Sequence, residues 1–237
     1  MITEFRDIHA HFVYGMDDGA KTPEDMRSML DEAYLGGIRV LYATCHSTPG
    51  VERFPDEVYE ERLEEARTYC AERGYALRLY PGAEILYTPA LKNYVERHPL
   101  RTLGNSDCVL VEFVPDVSFA EVEEAVTLLE NAGYTPILAH VERYECLYGT
   151  RIYRLKKEHP AVRYQVNCRT VVHKQMSYLR KWQLRRWFKK ELIDYVASDM
   201  HDTKARRSRM GAAVRKLDRY CRPGYISRMM GTMTPLR

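Results

Sequence analysis

The sequence predicts an α/β fold in a single domain, assembled from seven strand–helix units. Three observations lead to that fold. Short apolar, β-prone runs alternate with longer amphipathic runs along the whole chain. Capping and turn residues punctuate the alternation. Finally, the ends of six of the seven expected strands carry histidine or acidic residues.

The first strand covers Phe5 to Ala10. A helix follows from Thr22, with Pro23 at its first position and Asp25 in its first turn. Met26, Met29, Leu30 and Ala33 make its apolar stripe, and Gly36-Gly37 ends it. The second strand is Val40 to Thr44, and the helix after it runs from about Asp56 to Arg73, stopping at Gly74. Leu77 to Pro81 is the third strand, followed by a short helix over Pro89 to Val95. The fourth strand is Cys108 to Phe113. Its helix, Phe119 to Asn131, is capped by Ser118 and closed by Gly133. The fifth strand is Pro136 to Ala139, and a helix near Arg151 to Glu158 leads to the sixth, Val162 to Val166. A long basic amphipathic helix spans roughly Tyr178 to Leu192, the seventh strand is Asp194 to Ala197, and a last helix covers roughly Arg206 to Tyr220.

Pattern alone is compatible with an open doubly wound sheet or a closed barrel. An open sheet gathers its site at one switch point, from a few neighbouring loops. Parallel strands in a barrel bring all their carboxyl ends to one mouth. Ligand-type residues at six strand ends therefore favour closure.

Composition narrows the function classes. A chain of 237 residues, 45% hydrophobic and 29% charged, suits one globular domain with a substantial core. The net charge of +3 is too small to imply a nucleic-acid partner. The charge is uneven: Arg180 to Lys190 is basic without an acid, and the stretch after Lys204 is rich in arginine. The six cysteines are widely spaced, with no C-x-x-C pair. The chain runs straight into a strand without a leader, and no apolar run is long enough to span a bilayer. The expectation is a cytoplasmic protein with reduced thiols and no membrane insertion.

The strand ends carry the chemistry. His9-x-His11 places two imidazoles on one face, because alternate strand residues point the same way. Asp17 or Asp18, in the following Asp-Asp-Gly, can fold back as an oxygen ligand. Asp199-x-His201 repeats the spacing at the other end of the chain. Glu84 and Glu112 close apolar runs, where a carboxylate needs a counter-charge or a metal. His46 and His140 are the remaining strand-end imidazoles, whereas His98, His159 and His173 fall outside the series. So many nitrogen and oxygen donors exceed the needs of one ion, and point to two or three divalent metals. Such a centre suits hydrolysis of phosphate esters. Arg143 and Arg206, three and five residues beyond His140 and His201, offer planar forks for phosphate oxygens. No cysteine has an arginine at the C-x5-R spacing of thiol phosphatases, and no G-x-S-x-G, P-loop or G-x-G-x-x-G is present.

These segments resemble the PHP (polymerase and histidinol phosphatase) superfamily, and within it the bacterial metal-dependent protein-tyrosine phosphatases of capsule and exopolysaccharide loci. The resemblance is carried by Asp-Ile-His9-Ala-His11 through Asp-Asp18-Gly-Ala-Lys, Ala-Thr-Cys-His46, Pro-Gly-Ala-Glu84-Ile, Val-Glu112-Phe, Ile-Leu-Ala-His140-Val-Glu-Arg143-Tyr and Tyr-Val-Ala-Ser-Asp199-Met-His201. It covers about residues 5–206, and the basic helical stretch 207–237 lies beyond it. It implies a distorted (β/α)7 barrel with a three-metal cluster, manganese first, with iron and zinc as the other candidates. By position His9, His11, Asp18, His46, Glu84, Glu112, His140, Asp199 and His201 match the family's metal ligands, and Arg143 and Arg206 match its phosphate-binding arginines. The implied substrate is phosphotyrosine on the tyrosine autokinase that controls polysaccharide export. A homo-oligomer is left open. The segment Gln165-Val-Asn-Cys-Arg-Thr170 is more polar than the small-residue run expected there. Two other activities fit the same residues: a histidinol-phosphatase-like phosphomonoesterase acting on small molecules, and a non-catalytic module that binds phosphoproteins.

Overall fold

The structure is a computed structural model that describes residues 3–173, 176–232 and 236. In chain order its elements are β1 (Phe5–Ala10), α1 (Pro23–Leu35), β2 (Ile38–Ala43), β3 (His46–Ser47), α2 (Asp56–Glu72), β4 (Arg78–Pro81), β5 (Glu84–Leu86) and α3 (Ala90–Val95). They continue with β6 (Cys108–Glu112), α4 (Phe119–Asn131), β7 (Thr135–Leu138), α5 (Arg151–Glu158), β8 (Arg163–Asn167), α6 (Cys168–Val172), α7 (Tyr178–Lys189), β9 (Tyr195–Ala197), α8 (Met210–Leu217) and α9 (Pro223–Met230). The named strands all pair in parallel, in the orders β1-β2-β4 and β3-β5-β6-β7-β8-β9. This is a single-domain α/β fold with parallel sheets. β1 is buried along its whole length, as a strand covered on both faces should be.

The sequence predicts seven strands, and the described residues form nine, because the second and third are each broken in two. β2 stops at Ala43 and the chain resumes as β3 at His46; its neighbour β4 stops at Pro81 and resumes as β5 at Glu84. The two breaks lie side by side, since Ala43 pairs with Pro81 and His46 with Glu84. Backbone groups freed at a buried break need partners. Tyr59 of α2 supplies them: its hydroxyl approaches Ala43 O at 2.8 Å and Gly82 O at 3.1 Å, and accepts from the Gly82 N–H at 3.0 Å. A Cβ at Gly82 would press on the Leu103 side chain at 2.7 Å.

Helix starts follow the expected chemistry. Thr22 and Asp25 form a reciprocal capping box on α1, and Ser118 and Glu121 form another on α4. The last expected helix, roughly Arg206 to Tyr220, is the shorter α8, and α9 follows as a further helix that the pattern did not mark. α8 packs on α6, and α9 packs on β9 and β1. Met210, Val214, Leu217, Tyr225, Ile226 and Met229 join the same buried cluster as the strands. β1 and β9 also approach each other, with a parallel bridge between Ala10 and Met200 and the Asp199 N–H donating to His9 O at 2.9 Å. All six cysteines are unpaired, and Cys45 is a fully buried thiol. Among the described residues, no helix is long and apolar enough to cross a membrane.

Candidate metal centre

The eight strand-end residues and Asp18 of the loop after β1 meet. Glu84, only 1% exposed, sits in the middle. Its Oε2 lies 3.0 Å from His9 Nε2 and 3.2 Å from His11 Nε2, and its Oε1 lies 2.8 Å from His140 Nε2. His46 Nδ1 reaches Glu112 Oε1 at 2.9 Å and Glu84 Oε2 at 3.4 Å. On the other side, Asp18 Oδ1 stands 3.1 Å from His201 Nε2 and 3.3 Å from His46 Nε2. Asp199 Oδ1 is 3.5 Å from His9 Nε2 and 3.4 Å from His201 Nδ1. Three overlapping groups bring their donor atoms within 4.8 Å of one another: His9, His11 and Glu84; His46, Glu84 and Glu112; and His11, Asp18, His46 and His201.

The contacts fit divalent metals. The Nε2 atoms of His9 and His11 face each other at 3.1 Å, with Glu84 between them. Lone pairs directed at one point need a proton or a cation to hold them there. His201 Nε2 is buried without a hydrogen bond of its own, even though Asp18 lies close. Burial would raise the Glu84 carboxyl, but the charge on His9 and the hydrogen bonds from His11 and His140 prevail and hold it well below the usual carboxylate range. Burial would lower His11, but hydrogen bonds to Asp17 and Glu84 carry it up to about 10. Burial and the neighbouring charge of His11 push His201 down to about 3.

A second layer orients the imidazoles, as metal-binding histidines require. His11 Nδ1 pairs with Asp17 Oδ2 at 2.7 Å, His140 Nδ1 with the Tyr144 hydroxyl at 3.1 Å, and His9 Nδ1 with Gln165 Oε1 at 3.3 Å. The two aspartates of the loop thus separate: Asp18 faces the donors, while Asp17 accepts from the backbone N–H of Gly19 and His46 and steers His11. Gly19 is required because a Cβ there would fall 2.0 Å from His11 O. Asn167 Nδ2 donates to Asp199 Oδ2 at 2.6 Å, and Gln165 donates to Asn167. Sequence reasoning assigned Gln165, Asn167, Tyr144 and Glu142 no role. The signal was present for two of them: Gln165 and Asn167 are two apart on one strand, the spacing that singled out His9 and His11. The unexpected polarity of that segment is this second layer.

Two site residues carry backbone strain. His140 has φ +33° and Asp199 φ +54°, in the left-handed region that non-glycine residues avoid. Each is held by a neighbour: the His140 N–H donates to Gln165 Oε1 at 2.7 Å, and the Asp199 N–H to His9 O. Arg143 Nη2 lies 2.6 Å from Asp199 Oδ2. Arg206 spans Asp199 Oδ1 at 3.1 Å and Asp18 Oδ2 at 2.8 Å. Both arginines therefore stand at the rim of the cluster. Of the histidines outside the series, His159 pairs with Glu130, His98 lies beside Tyr94, and His173 lines a cleft next to Asp199.

The sequence matches the capsular polysaccharide synthesis CpsB/CapC family over residues 5–233. The chain belongs to that family. Among CpsB/CapC relatives, the tyrosine-protein phosphatase CpsB of Streptococcus pneumoniae is 30% identical over 211 residues, 84% of either chain. A solved structure from the pair YwqE of Bacillus subtilis and CpsB of S. pneumoniae, metal-dependent tyrosine phosphatases, superposes with a TM-score of 0.79. It is 27% identical and covers 90% of this chain and 86% of that one. A D-hydantoinase shares the fold alone, with a TM-score of 0.53 at 12% identity over 96% of this chain and 69% of that one.

Proposed function

We propose that this member of the CpsB/CapC family is a metal-dependent protein-tyrosine phosphatase. Its metals are held by His9, His11, Asp18, His46, Glu84, Glu112, His140, Asp199 and His201. The observation that carries the reading is the convergence of these five imidazoles and four carboxylates, with Arg143 and Arg206 at their edge. The donor set suits three ions, with manganese preferred and iron or zinc as alternatives. We further infer that the strands form a distorted (β/α)7 barrel spanning the whole chain as one phosphoesterase domain. The bridge from Ala10 of β1 to Met200, just beyond β9, supports that closure.

Bound divalent metals supply Lewis acidity toward the phosphoryl oxygens and lower the pKa of the attacking water. The chain's own groups do the rest. Gln165, Asp17 and Tyr144 fix the ring orientations, so donor atoms stay aimed without reorganisation. Arg143 and Arg206, which neutralise Asp199 and Asp18, exchange carboxylate for phosphoryl oxygens and orient the ester.

The substrate in this reading is phosphotyrosine on a cytoplasmic tyrosine autokinase of polysaccharide export. Metal analysis of the purified protein, paired with a panel of phosphate esters, tests it. His9→Ala and Asp199→Ala should abolish metal-dependent hydrolysis of a phosphotyrosyl peptide, and full retained activity overturns the reading. Turnover of sugar or amino-alcohol phosphates far above the peptide favours the small-molecule phosphomonoesterase. Phosphopeptide binding without turnover under any divalent metal favours the binding module.

A further inference from the structure

The cleft beside the metal centre is larger and more basic than one phosphate needs. It encloses about 420 Å³, a volume typical of sites that take a whole ligand. Five arginines line it, Arg143, Arg169, Arg180, Arg206 and Arg207, against two carboxylates, Glu142 and Asp199. Asp199 is already engaged by Arg143, Arg206 and Asn167. Glu142 is buried, and accepts from the Asn167 N–H. Neither carboxylate is left to balance the outer wall.

The outer wall consists of the other three arginines. Arg180 reaches Glu145 at 2.7 Å and Arg207 reaches Glu32 at 3.2 Å. Both guanidiniums are about half exposed, and exposed pairs of this kind are weak and readily exchanged. Arg169 is exposed and, among the described residues, has no hydrogen bond or ion pair. Its position follows from the fold. β8 ends at Asn167, whose side chain holds Asp199, and Arg169 comes two residues later in α6. An unpaired cation therefore stands on the wall of a cleft that leads to a metal-centre carboxylate. A wall of three arginines, one unpaired and two in weak exposed pairs, concentrates anions.

We propose that Arg169, assisted by Arg180 and Arg207, forms a second anion subsite for a residue flanking the phosphotyrosine. Its ligand is an anionic group on the same peptide, either a carboxylate side chain or a second phosphotyrosine. A residue two or three positions away lies about 7–10 Å along an extended peptide, and Arg169 lines the same cleft as Asp199. The proposal rests on the phosphotyrosine reading above. It goes further by making this enzyme selective for acidic or multiply phosphorylated segments.

The test uses the manganese-loaded full chain and four substrates: p-nitrophenyl phosphate, a phosphotyrosyl peptide with neutral flanks, the same peptide with glutamates at flanking positions, and a doubly phosphorylated version. Either anionic peptide should exceed the neutral one in kcat/KM by about three- to tenfold, mainly through KM. The two arms show which anion the subsite prefers. Arg169→Glu should erase the gain while leaving p-nitrophenyl phosphate turnover and metal content at wild-type levels. Arg169→Lys should keep part of it, and Arg180→Glu should weaken it. Equal kcat/KM for neutral and anionic peptides in the wild type overturns the subsite, as does a preference that survives Arg169→Glu. Turnover of p-nitrophenyl phosphate with none of any phosphopeptide overturns the phosphotyrosine reading itself.

Discussion

Glu84 lies among four imidazoles, with His9, His11, His46 and His140 all within 3.4 Å of its oxygens. Glu84→Gln keeps the shape but removes the charge that offsets these imidazoles. We expect it to lose bound metal by elemental analysis and at least about 100-fold in kcat. The neighbouring aspartates offer a finer test. Asp18→Asn removes a donor and should lower the metal stoichiometry. Asp17→Asn leaves every donor in place but loosens His11, and should cost roughly 10–100-fold in metal affinity at unchanged stoichiometry. Arg143→Lys keeps the charge and loses the planar fork. It should lower kcat/KM for the phosphoester by about tenfold with metal content intact. A variant indistinguishable from wild type would remove Arg143 from substrate binding.

The paired breaks in β2–β3 and β4–β5 show how the elements present these side chains. An unbroken strand would carry its ladder past Thr44 and Gly82; the breaks instead let His46 and Glu84 begin new strands in register. One hydroxyl, from Tyr59 of α2, satisfies the backbone at both breaks. Tyr59→Phe leaves those buried groups unpaired, and should cost about 1–3 kcal/mol in urea unfolding. Because the same contacts set the start of β3 and β5, metal affinity should fall in parallel. Stability lost with unchanged metal binding would separate the two roles. The positive φ angles of His140 and Asp199 belong with these breaks, since both mark places where a strand end turns its side chain into the site.

Across the chain, the centre joins β1, the first residues of β3 and β5, the end of β6 and the segments after β7 and β9. Residues from His9 to His201 thus depend on one cluster for their mutual charge balance. Chelation should therefore do more than stop turnover. We expect the metal-free protein to melt on the order of several degrees below the loaded one in calorimetry, with activity restored by adding manganese. Acidification should weaken metal binding before it unfolds the fold, because ligand imidazoles must be neutral. A melting temperature indifferent to chelator would mean that the cluster is balanced without metal.

Much of this was legible in the linear chain. Alternating strand and helix patterns mark the α/β class, since the periods of 2 and 3.6 reflect local geometry that each segment carries alone. The histidines and acids near the strand ends were legible as a group, because local sequence shows both the apolar run and the polar residue beside it. The split strands were not, because Tyr59 and Gly82 lie 23 residues apart and their contact leaves no periodic trace. Nor was the division of labour between Asp17 and Asp18, which depends on how closely the loop at Gly19 passes His11. The partnership of Gln165 and Asn167 with His9, His140 and Asp199 arises the same way, between strands distant in the chain. Local patterns name the residue types available to a site, whereas long-range contacts decide which of them point into it and which hold the others in place.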